Sequence, residues 1–207
     1  MSFGTMAAIR TEKVVGIVRA DTAERARQAA RAMLTGGLRV VEVALTTPGA
    51  LDVIGELAAD KADDVVVGAG TVLDAESARL ATLAGATLLV SPSLCPEVIR
   101  TGRRYGAAVL PGCATPTEML TALEAGADAV KLFPASLWTP EDLHAVRQAL
   151  PQLPVIPTGG ITPADAPRWI QAGAIAVGLG SALTAGGPDA TADRVKQFRT
   201  ALDTVTA

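Results

Sequence analysis

Short apolar runs alternate along the whole chain with longer stretches of helical periodicity. The runs cover residues 14–18, 40–44, 65–67, 88–90, 107–110, 129–132, 155–157 and 175–177. Their starts fall about 23 residues apart on average, the length of a minimal βα unit. Runs this short and this apolar suit parallel strands buried on both faces. Between the first two, Ala23, Ala26, Ala30, Met33 and Leu34 mark one face of a helix. The pattern predicts an α/β fold: a (β/α)8 TIM barrel of minimal size with a short N-terminal helix, residues 1–207 forming a single domain.

The punctuation agrees. Thr-Pro occurs at 47–48, 115–116, 139–140 and 162–163, a pairing that suits a helix cap followed by its first turn. Thr115 and Glu118 have capping-box spacing. Gly36, Gly37, Gly85, Gly126 and Gly173 stand where helices end, and a left-handed residue is expected there. Four of these glycines also set a register. Five residues beyond Gly37, Gly85, Gly126 and Gly173 stand Glu42, Val90, Lys131 and Gly178. Alternate strands of a barrel fill one interior layer, so a shared register points Glu42 and Lys131 into the same layer and leaves space at Gly178.

Composition narrows the function. The chain is 49% hydrophobic but only 3% aromatic, so aliphatic side chains must build the core. A net charge of −3 and the lack of a basic run leave nucleic-acid binding without an electrostatic footprint. No apolar stretch approaches the length of a membrane span. The N-terminus lacks the layout of a signal peptide, and Cys95 and Cys113 lack metal-ligand spacing. A cytoplasmic protein without disulfides is expected.

The chemistry concentrates on charges inside apolar runs. Lys131 lies in Ala129-Val130-Lys131-Leu132-Phe133. Burial disfavours the ammonium, and a neutral amine attacks a ketone to form an imine. A structural ion pair accounts for this run equally well. Glu42, in Val40-Val41-Glu42-Val43, is either the ion partner or the group that shuttles protons for such an imine. Two such residues together favour catalysis. Arg19 ends the first run, where its planar fork suits a carboxylate or a surface ion pair. Glycine turns at Thr158-Gly159-Gly160-Ile161 and Gly178-Leu179-Gly180-Ser181 follow the last two runs, where barrels bind phosphate on backbone N–H groups. Thr71, in Gly68-Ala69-Gly70-Thr71-Val72, either binds substrate or caps the next helix. His144, Trp138, Trp169 and the two cysteines read as solvated or packing residues.

In this order, these motifs resemble the 2-keto-3-deoxy-6-phosphogluconate (KDPG) aldolases and their phosphogalactonate and 4-hydroxy-2-oxoglutarate relatives. Ser91-Pro92, Pro111-Gly112 and Lys131-Leu132-Phe133-Pro134 complete the resemblance, which spans about residues 12 to 203. It implies a class I aldolase with Lys131 as Schiff-base lysine and Glu42 as general acid/base. It implies that Thr71, Pro92 and Phe133 line a pyruvate site. It also implies phosphate binding near Gly159, Gly160, Gly180 and Ser181, a homotrimer, and a place in the Entner–Doudoroff pathway. The substrates would be pyruvate and a phosphorylated keto sugar acid, with no cofactor and no metal, because the iminium is the electron sink.

One departure stands out. Some members carry an arginine where this chain has Thr46, and others place the carboxylate-binding arginine where Arg19 stands, so Arg19 takes that role here. The segment Pro111-Gly112-Cys113-Ala114-Thr115 resembles the phosphogalactonate branch, whereas Thr158 resembles the phosphogluconate branch, and its hydroxyl suits a substrate 4-hydroxyl. The phosphogluconate substrate is preferred on that ground, with the phosphogalactonate substrate or dual use as the alternative. A phosphosugar isomerase or synthase on the same barrel, or a sugar-phosphate binding protein without turnover, are the readings from other classes.

Overall fold

The computed structural model describes residues 2–206, with side chains through 202. It contains nine parallel-paired strands: β1 (Val14–Val18), β2 (Val40–Ala44), β3 (Val66–Gly70), β4 (Leu88–Val90), β5 (Ala108–Leu110), β6 (Gly112–Cys113), β7 (Val130–Leu132), β8 (Val155–Pro157) and β9 (Val177–Leu179). Ten helices accompany them: α1 (Ser2–Glu12), α2 (Ala23–Thr35), α3 (Ala50–Asp60), α4 (Ala75–Leu83), α5 (Pro96–Tyr105), α6 (Pro116–Glu124), α7 (Pro140–Ala149), α8 (Ala166–Gln171), α9 (Ser181–Thr184) and α10 (Pro188–Thr206).

The strands form a curled parallel arrangement in two sheets, one ordered β5-β4-β3-β2-β1-β9 and the other β6-β7-β8. Eight runs become nine strands because the extended chain continues past the fifth run into Gly112–Cys113, and Pro111 between them has no N–H to give to a ladder. Its carbonyl still accepts from Lys131 N–H at 2.9 Å, and Val109 O accepts from Asp128 N–H at 3.1 Å. On the other side, Thr158 forms an isolated bridge to Gly178, and Ile175 N–H reaches Val155 O at 2.9 Å. Hydrogen bonding between the two sheets is thus sparser than within either. The chain shows an α/β fold with a curled parallel sheet; a ladder unbroken around the full circle, as the run pattern predicts, is absent among the described residues.

Two apolar clusters hold this arrangement. The larger joins the outer faces of the strands to the helices, through residues such as Met33, Ile54, Leu89, Met119 and Leu143. The smaller lies inside the curl, where Val15, Val40, Val66, Leu88, Ala108, Ala129, Ile156 and Ala176 meet Met6 and Ile9 of α1. These inner residues mostly stand at strand starts, so α1 covers the N-terminal end. The Glu12–Arg199 ion pair fastens α1 to α10. No helix among the described residues is long and apolar enough to cross a membrane.

The local signals meet mixed outcomes. Thr115 and Thr139 cap α6 and α7 as the Thr-Pro pairs predict, and Thr22 and Asp74 cap α2 and α4. The reciprocal capping box sits at Thr139 and Asp142; Glu118 instead accepts from Ala114 N–H and the Thr115 hydroxyl. Thr47 caps no helix, since α3 begins after Gly49 without a side-chain cap bond. Gly37, Gly85, Gly126 and Gly173 take positive φ as expected, but Gly36 is right-handed at φ −69°. Gly36 is needed for closeness, because a Cβ there would stand 2.6 Å from Val195 Cβ of α10.

Candidate active site

Glu42 leaves the middle of β2 and Lys131 the middle of β7, and both are buried. Together with Val90 and Gly178 they line one cavity inside the curl, which the five-residue register anticipates. Val15, Ile17, Leu110, Ile156 and Thr158 complete its walls. The cavity measures about 10 Å³, room for one water at most.

Burial pushes the Glu42 carboxyl above the ordinary carboxylate range, against the opposing pull of the Lys131 and Arg19 charges. No ion pair within 4.0 Å joins Glu42 to Lys131. The contact pair allowed by the sequence is therefore not what holds them; their charges face each other across the cavity. No buried side-chain oxygen or nitrogen among the described residues is left without a partner while sealed from solvent, so both groups open onto this space. Lys131 Nζ lies over the Phe133 ring, 4.9 Å from its centroid. That contact places a π face beside the amine.

The rim at the strand C-termini carries the other predicted residues. Arg19 Nη2 donates to Thr71 Oγ1 at 3.2 Å. Thr71 follows β3 with φ +58°, a conformation that β-branched residues adopt only under strain. Pro92 follows β4 and packs so tightly on Gly112 that a Cβ at Gly112 would sit 2.2 Å from its carbonyl carbon. Pro92 lines the rim beyond the small cavity, in a turn shaped by the buried Ser91 hydroxyl donating to Ser93 O at 2.8 Å. Thr158 donates to Ile156 O at 3.3 Å and faces Gly178, where a Cβ would stand 2.3 Å from Thr158 Oγ1. Gly178 lines the cavity as the register predicts, but the space its missing side chain leaves is taken by Thr158.

The glycine turns flank this rim. Gly159 and Gly160 take φ +92° and +81°. Gly159 faces the Phe133 ring and Gly160 faces Ser136. Gly180 passes near Ile17 and precedes Ser181 at the start of α9. What joins the two turns is the Thr158–Gly178 bridge beneath them.

The bland readings also have places. Burial, with Glu118 adding to it, pushes the Cys113 thiol up to about 12, which leaves no thiolate at neutral pH. The exposed His144 ring contacts Gln148 on α7. Among the described residues no group of three His, Cys, Asp or Glu side chains converges as a metal site. Sequence reasoning passed over Val15, Ile17, Leu110 and Ile156, although the alternation in β1 marks Val15 and Ile17 as inward neighbours. It also passed over Thr47, which its Thr-Pro pair disguised as a helix cap.

A buried amine opposite a carboxyl held toward its protonated form can make and break an imine. The amine adds to a carbonyl, and the carboxyl supplies and recovers the protons.

The chain matches the KDPG and KHG aldolase family over residues 6–197. A 2-dehydro-3-deoxy-6-phosphogalactonate aldolase of Escherichia coli (strain K12) is 39% identical over 171 residues, 82% of this chain and 83% of that protein. A 2-dehydro-3-deoxy-phosphogluconate aldolase of Zymomonas mobilis is 35% identical over 183 residues, 87% of each. A solved KDPG aldolase from Legionella pneumophila, with pyruvate captured as a covalent carbinolamine intermediate, superposes with a TM-score of 0.82. It is 27% identical and is covered to 97%, against 95% of this chain.

Proposed function

Because this chain belongs to the KDPG and KHG aldolase family of carbon–carbon lyases, we propose that it cleaves 2-keto-3-deoxy-6-phosphogluconate reversibly into pyruvate and glyceraldehyde 3-phosphate through an imine on Lys131. The observation that carries this reading is Lys131 and Glu42 facing one interior cavity from β7 and β2.

In the cleavage direction, Lys131 Nζ adds to the C2 carbonyl; Glu42 protonates the resulting alkoxide, takes a proton back from the nitrogen, and gives it to the hydroxyl that leaves as water. The iminium accepts the electron pair of the C3–C4 bond as the Glu42 carboxylate takes the proton of the 4-hydroxyl, releasing the aldehyde. The enamine left on Lys131 takes a proton at C3, and water returns the amine and pyruvate. Glu42 suits these transfers because its raised carboxyl can hold a proton and give it up. The cavity beside it holds one water at most, so the keto acid enters from the rim. There Arg19 and Thr71 take its carboxylate, Pro92 and Phe133 bound the pyruvate portion, and Thr158 meets the 4-hydroxyl. Gly159, Gly160, Gly180 and Ser181 offer backbone N–H groups and a hydroxyl to the phosphate.

The whole chain is read as one closed eight-stranded barrel domain, β5 and β6 counting as one strand; hydrogen bonds at both seams support closure. A cytoplasmic enzyme fits the free thiols of Cys95 and Cys113. A homotrimer fits the exposed Leu73, Leu80 and Leu83 along α4 and its start, and sedimentation of the purified chain reads the assembly directly. A phosphogalactonate substrate is the second reading, favoured by the 39% identical relative.

The test is a panel of the phosphogluconate, phosphogalactonate and 4-hydroxy-2-oxoglutarate substrates. The phosphogluconate form is expected to give the highest kcat/KM, and Thr158→Val to erase that preference. A wild-type preference for the phosphogalactonate form overturns the substrate assignment.

A further inference from the structure

Three strand exits on the rim are tied into one closed ring of hydrogen bonds. Arg19 Nη2 donates to Thr71 Oγ1 at 3.2 Å, joining the exits of β1 and β3. Leu45 N–H donates to Gly70 O at 2.8 Å, joining β2 to β3. Ala20 N–H donates to Thr47 Oγ1 at 3.2 Å, joining β1 to β2. Thr47 is 2% exposed, and its own N–H is fixed on Ala44 O at 2.9 Å, so its hydroxyl is a rigid acceptor. Thr46 beside it is exposed.

We infer that Thr47 is the positioning residue of the carboxylate clamp, holding the backbone at Ala20 so that Arg19 stays on Thr71. The inference rests on the reading that Arg19 takes the substrate carboxylate. The Arg19 side chain is long, exposed and rich in rotamers, so its reach depends on where the main chain beside it is anchored. Thr47 supplies that anchor from the loop after β2, the strand that carries Glu42. It touches neither substrate nor Lys131 and acts through Arg19 alone.

The test compares two ketones of similar size, pyruvate and hydroxyacetone, which lacks the carboxylate. Imine formation is read by borohydride trapping of the full-length protein against ketone concentration. In Thr47→Val, which keeps the volume and loses the acceptor, the half-saturating pyruvate concentration is expected to rise roughly tenfold. Hydroxyacetone trapping should stay at the wild-type level, and Thr47→Ser should restore pyruvate saturation. Thr47→Cys, a poor acceptor, serves the same comparison if the valine variant does not fold. Equal weakening toward both ketones, or none toward either, overturns the inference. Arg19→Met separates the two layers. If it loses pyruvate selectively while Thr47→Val does not, only the role of Thr47 falls. If it keeps wild-type pyruvate saturation, the carboxylate reading falls and this inference with it.

Discussion

Glu42 carries its function at a cost in stability. Its carboxyl sits above the ordinary value of 4.5 because burial outweighs the pull of Lys131 and Arg19. A group that holds its proton more tightly when folded favours the native state at low pH, and penalises it as pH climbs from the ordinary value through the raised one. Glu42→Gln is therefore expected to raise the melting temperature at neutral pH and change it little below pH 4.5. The same substitution should slow turnover by about 10²- to 10⁴-fold. Thermal melts across pH, beside steady-state rates, check both. Thr71 is the second such residue, since φ +58° costs a β-branched side chain about 1–3 kcal/mol. Thr71→Gly relieves that strain, and after the entropy of a glycine about 1 kcal/mol of added stability is expected from urea melts. Pyruvate should then bind more weakly, since Arg19 loses its acceptor. Both Glu42 and Lys131 were legible as charges inside apolar runs, and the common offset from a glycine put them in one layer. Thr47 was not, because a buried loop acceptor has no periodicity to betray it.

Elements were legible wherever side chains alone mark a strand. The runs 14–18, 40–44, 88–90 and 155–157 coincide with β1, β2, β4 and β8. The third and eighth runs slide toward the C-terminus, to β3 and β9, because Gly68, Gly70 and Gly178 continue the strands without an apolar side chain to show it. Packing is the reason these are glycines: a Cβ at Gly68 would lie 3.0 Å from Leu88 Cβ, and one at Gly70 would lie 2.6 Å from Glu42 Oε1. The same logic makes a paired prediction. Gly112→Ala sets a Cβ 2.2 Å from the Pro92 main chain, so a loss of about 3 kcal/mol or more is expected. Gly55→Ala, inside α3 with its nearest neighbour 3.8 Å away, should stabilise by about 0.5–1 kcal/mol. Denaturant melts of the two variants should move in opposite directions.

At the scale of the whole molecule, the βα alternation carried the fold class. Turns and helices ring a curled parallel sheet, α1 covers one end, and the charged rim occupies the other. What the alternation could not convey is how each strand joins the next, since ladder continuity depends on main-chain groups that proline and sparse bridges alter. Pro111 divides one strand, and the seam between β8 and β9 carries an isolated bridge at Thr158 and the Ile175 N–H bond to Val155 O. The arrangement nevertheless brings β2 and β7, far apart in sequence, to face one cavity, and the function follows from that meeting. The direct measurement is to incubate the protein with pyruvate, reduce it with borohydride and map the adduct by mass spectrometry. Lys13, Lys61 and Lys196 serve as internal controls. A single reduced pyruvate adduct on Lys131, lost together with turnover in Lys131→Ala, is the predicted result; an adduct on another lysine, or none at saturating pyruvate, would contradict the account.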